Sequence, residues 1–181
     1  MKRWTLAAAT ALFVVPQMAW PQAHQPYAGQ QARAIKALSD QETADLRAGR
    51  GMGLALAAEL NGYPGPVHVL ELAEPLGLTA VQRDSMNGLF AAMKAEAVAL
   101  GEKLIAAEAQ LDRQFAGKSV TEASLIESVQ SIAALQGALR AAHLKYHLAT
   151  VATLTPEQLV HYAELRGYVG GVQQSPHQHG K

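Results

Sequence analysis

Along the middle of the chain, apolar positions recur at alternating intervals of four and three. From Thr79 onward they fall at Met86, Phe90, Met93, Ala97, Leu100, Leu104, Ala107, Leu111 and Phe115, a seam that belongs to a helix packed along its length against another helix. Gly117-Lys118 interrupts the pattern. Thr121 then offers an N-cap, and Leu125, Val129, Ile132, Leu135, Leu139, Ala142 and Tyr146 form a second stripe that ends near Thr153. Two helices of about thirty-five residues would each run about 50 Å at 1.5 Å per residue, and a connection this short makes them antiparallel. The predicted fold is therefore all-α: a long antiparallel helical hairpin with shorter flanking helices. So thin a hairpin exposes a wide flank, which implies self-association or a broad binding surface.

The flanking elements follow from capping signals. Ser39 with Glu42 is a capping-box pattern that predicts a helix over 40–48. A second is predicted over 52–60, ended by Asn61-Gly62. The segment GYPGP (62–66) divides this N-terminal part from the rest. Two five-residue segments then match: LTAVQ (78–82) and LTPEQ (154–158). In each, Thr serves as N-cap and Gln three residues later reaches back to the N-cap amide. The second adds Pro156 at the first helical position, where its missing N–H costs nothing, and a Leu154–Leu159 staple.

Composition narrows the function classes. The 181 residues are 49% hydrophobic, 17% charged and 6% aromatic, and rich in alanine and leucine, which agrees with helix. Fifteen basic residues balance fifteen acidic ones, so no charged surface is available for nucleic acid. The absence of cysteine excludes disulfides, thiolate metal sites and cysteine nucleophiles. Residues 1–23 carry Lys2 and Arg3, then an apolar run broken at Pro16, which reads as a secretory signal peptide, with a membrane role only if that signal is not cleaved. Its removal leaves a mildly acidic chain. Residues 24–34 are expected to be a flexible lead-in, 35–62 a helical extension, 63–168 the main helical domain, and 169–181 a disordered tail rich in Gly, Gln and His. No GxSxG elbow or glycine-rich phosphate loop is present, so an enzyme is not expected.

The export signal, the cysteine-free helical body, the long hairpin and the paired motifs Leu78-Thr79…Gln82 and Leu154-Thr155…Gln158 together resemble the Spy/CpxP superfamily of periplasmic proteins. That resemblance covers roughly residues 63–168. It implies a cradle-shaped homodimer in the periplasm, acting as an ATP-independent chaperone or envelope-stress adaptor on unfolded or signalling proteins. The alternative it implies is a heavy-metal sensor or resistance protein, similar to the CnrX-like branch. The 35–62 extension is an addition to the short chaperone pattern.

His143 and His147 stand at i and i+4 on one helix face, a spacing that suits chelation of a divalent ion; it equally suits two partly buried polar residues at the edge of a core. No glutamate follows His143 as a zinc-protease helix requires. The resemblance to the metal-sensing branch adds His68, ten residues ahead of Leu78, and points to Glu71 in place of a second histidine. Glu74 and Met93 are supplementary candidates. Such a set, His68, Glu71, His143 and His147, would suit zinc, copper, cobalt or nickel. No cofactor is required by the chaperone reading. His177 and His179 form a tail pair, His161 reads as a surface residue, and His24 adjoins the cleavage region.

Overall fold

The computed structural model describes residues 26–168, so the signal-peptide, tail, His24 and His177/His179 expectations lie outside the described residues. Six helices carry the described chain, and no strand is formed among them: α1 (Asp40–Ala48), α2 (Leu56–Glu59), α3 (Pro66–Glu71), α4 (Ala80–Ala116), α5 (Glu122–Val151) and α6 (Pro156–Leu165). The all-α hairpin is present as expected. Three polar ties run across it and fix its register. Gln114 meets Ser128 near the turn, Glu96 accepts from Lys145 and Tyr146 midway, and Gln82 reaches Thr153 at the open end. Partners that recede in opposite directions from the turn mean antiparallel helices. Lys118, with φ 52°, makes the reversal, and Thr121 with Ser124 closes a capping box on α5.

Two apolar clusters hold the hairpin. Leu46, Ala97, Leu104, Ile105, Ile132 and Leu139 form one in its middle, where α1 lies on α4. Gly101 makes that approach possible: a Cβ there would stand 2.5 Å from the Leu46 carbonyl oxygen. Val69, Ala73, Leu76, Leu78, Met86, Leu154 and Tyr162 form the other, at the open end. The seam departs from its predicted course near the turn. Phe115 and Val129 are half exposed, because among the described residues the short helices cover the middle and the open end, and the lead-in reaches towards the tip as far as Asp112, which Lys36 meets at 3.5 Å. Gly101 and Ile105 join the buried face instead.

The helix predicted over 52–60 is shortened to Leu56–Glu59. Met52 and Gly53 take left-handed backbone, φ 46° and 76°, which no right-handed helix accommodates. The lead-in holds a single 3-10 turn at Gln30–Ala32. Among the described residues no helix is long and apolar enough to cross a membrane.

The two LTxxQ segments behave as one unit. Both Thr79–Gln82 and Thr155–Gln158 close capping boxes, and the two glutamines then pair. Gln82 Nε2 donates to Gln158 Oε1 at 2.8 Å and to the Thr153 carbonyl at 3.1 Å. Gln158 Nε2 returns a bond to Gln82 Oε1 and reaches the Leu76 carbonyl, both at 3.2 Å. Each amide oxygen also accepts its own N-cap N–H, at 3.1 and 3.0 Å. Both amide nitrogens thus use both of their donors, and both amide oxygens accept at least two bonds. Leu78 and Leu154, each just before a capping threonine, are buried in the open-end cluster.

Candidate functional site

A pocket of about 300 Å³ opens beside the hairpin, lined by the 51–56 turn, Glu59, the start of α3, Met93, His143 and His147. His68, His143 and His147 all face it. The i, i+4 spacing on α5 puts two of them on one face, and the α3 helix, started by Pro66 at its first position, supplies the third. Three of the four predicted ligands therefore converge on one pocket, with Met93 beside them. Glu71 does not join them: its carboxylate pairs with Arg166 at 2.8 Å, away from the pocket. Glu74 likewise pairs with Arg83 at 2.8 Å, and His161, exposed, lies 3.1 Å from Glu164.

The acid that does line the pocket is Glu59, only 5% exposed. Its two oxygens face opposite ways. Oε1 accepts from the Tyr162 hydroxyl and, at 3.2 Å, from Tyr168. Oε2 accepts the Gly65 N–H at 3.0 Å and faces His68 Nδ1 at 3.2 Å and His147 Nδ1 at 3.8 Å. His68 Nδ1 is within ion-pair distance of this oxygen, though not aligned for a hydrogen bond. Burial pushes the Glu59 carboxyl up, but the His68 contact and the bonds from Tyr162 and Gly65 outweigh it and hold it at about 2. The same contact, added to burial, raises Tyr162 well above its ordinary range.

His147 Nδ1 lies 2.6 Å from the Tyr63 carbonyl oxygen. A carbonyl only accepts, so Nδ1 carries the proton and Nε2 is the basic nitrogen. Orientation of a ligand imidazole by a backbone carbonyl on its far nitrogen is a recurrent feature of metal sites. Gly65 admits the ring: a Cβ there would stand 3.0 Å from His147 Cε1 and Nε2. His143 is 2% exposed and its buried Nε2 has no partner. Burial, and then the neighbouring His147, lowers its pKa, so the ring is neutral and its lone pair available near neutral pH. Among the described residues, however, no three His, Asp or Glu side chains already stand together in a metal-holding arrangement.

Sequence reasoning missed Glu59, Met52 and the Tyr162–Tyr168 pair. The signal was a single acid in the otherwise apolar run LALAAEL (54–60), followed by GYPGP, in which Pro64, Gly65 and Pro66 are buried. No family model, curated protein or solved structure matches the chain.

Proposed function

We propose that this chain is an exported, periplasmic Spy/CpxP-like protein that binds a transition-metal ion in the pocket of His68, His143 and His147, as a sensor or resistance protein. One observation carries the reading: His143, whose buried Nε2 has no partner, lines a pocket that two further histidines also line. An orphaned buried nitrogen costs about 1–3 kcal/mol, a cost that binding an ion would offset. A homodimer would give the ion two arrangements to choose between, and only a difference in affinity between them would signal. The test is calorimetric titration of the mature chain with zinc, cobalt, nickel and both oxidation states of copper, beside His143→Ala/His147→Ala. Micromolar or tighter binding that the double variant loses supports the site. Equal affinity in both, with the variant folded by circular dichroism, rejects it.

A second reading is an ATP-independent chaperone or adaptor for unfolded or envelope signalling proteins. It is favoured by the large apolar side chains left in solvent on the hairpin, Val81, Phe115, Ile126, Val129 and Leu148. Suppression of client aggregation at near-stoichiometric amounts would support it, and none at several-fold excess would reject it.

A further inference from the structure

We infer that the ion this pocket takes is a soft, thioether-accepting one, copper in its monovalent state, with Met52 and Met93 as sulfur donors beside His143 and His147. The inference rests on the metal-binding reading above and adds the choice of ion. Of the three methionines among the described residues, two line this pocket; Met86, the third, is fully buried in the open-end cluster. Met93 projects from α4 and is itself buried. Met52 arrives from the other side, on the 51–56 turn.

The backbone at Met52 is the telling feature. Its φ of 46° lies in the left-handed region that methionine seldom adopts, and Gly51 and Gly53 stand on either side of it. A glycine at 52 would relieve the conformation. The side chain is 43% exposed and stands between two clefts, this pocket and an apolar one lined by Leu46, Leu54 and Leu104. Backbone strain held in place at a cleft is a pointer to function. Here the strained residue shares the pocket lining with the imidazoles of His143 and His147.

The donor set then decides among metals. Zinc, cobalt and nickel favour several nitrogen and oxygen ligands, and no such group of three His, Asp or Glu is assembled among the described residues. Glu59 is engaged on both oxygens by Gly65, Tyr162 and Tyr168. With no cysteine in the chain, thioethers are its soft donors, and thioether with neutral imidazole suits monovalent copper.

The experiment is an anaerobic titration of the mature chain with Cu(I), kept reduced by ascorbate, against a chromophoric Cu(I) chelator, with Zn(II) titrated in parallel. Met52→Leu and Met93→Leu keep the volume and apolar character of the side chains, and their melting curves check that the fold survives. Each is expected to weaken Cu(I) binding by tenfold or more and Zn(II) binding by less than twofold. X-ray absorption at the copper edge is expected to show sulfur neighbours that the double variant lacks. Cu(I) affinity unchanged in the double variant, or a copper spectrum without sulfur, overturns the inference. If Zn(II) binds through His143 and His147 and Cu(I) does not, the choice of ion falls and the metal-binding reading stands. If neither ion binds, both fall.

Discussion

The paired glutamines at the open end of the hairpin and the histidine pocket beside them treat buried polar groups in opposite ways. Gln82 and Gln158 use every amide donor and acceptor they have, on each other and on four backbone groups. In the pocket, His143 Nε2 and His68 Nδ1 are buried without a hydrogen bond. A satisfied network specifies one structure; a half-satisfied one is a cost that folding alone does not repay. The comparison separates a repeated motif that satisfies itself within the fold from a cluster that leaves two buried nitrogens unpaired.

Glu59 joins the two regimes, and its loss should have the largest effect. Its carboxyl is held at about 2 against an ordinary 4.5. A depressed pKa in the folded state means stability that is complete above about pH 4.5 and is lost as pH falls towards 2. The shift corresponds to roughly 3 kcal/mol. Urea unfolding of the wild type should therefore weaken by that order across this interval. Glu59→Gln should be less stable at pH 7 and lack that part of the acid dependence; an unchanged acid limb in the variant would remove Glu59 from this role.

The hairpin was legible in the sequence because its signals are local: a four-three apolar repeat, a Gly-Lys break, and Thr and Gln three residues apart. What periodicity cannot encode is where a third layer ends, which is why Phe115 and Val129 read as seam and stand half exposed. It is equally blind to positive φ, so the helix predicted from Met52 begins only at Leu56. The His143/His147 pair was visible as an i, i+4 spacing. Glu59 was not, since its tyrosine partners lie more than a hundred residues away.

The glutamine pair gives the next largest effect and tests the satisfied side of the comparison. Gln82→Ala strands the Thr79 N–H, the Thr153 carbonyl and half of the Gln158 amide. The expected cost is about 2 kcal/mol, within the range for unmade part-buried hydrogen bonds. Gln158→Ala should cost about the same. Because they share bonds, the double variant should cost clearly less than both singles together, a coupling of about 1 kcal/mol. Strict additivity in a double-mutant cycle would mean that the two motifs act as independent caps.

His143→Leu should give the smallest effect, and of opposite sign. Leucine fills similar volume and removes an imidazole whose buried Nε2 has no partner, so the variant should be more stable by about 1 kcal/mol at pH 7. The gain should grow on acidification. The lowered pKa of His143 means that protonating it opposes folding, so the wild type loses stability as pH falls below 6.5 and the variant escapes that loss. The same substitution is expected to abolish metal binding. Higher stability with lost binding is the signature of a group kept for its ligand, whereas a loss of 1 kcal/mol or more would make His143 a packing residue and leave the pocket without its principal donor.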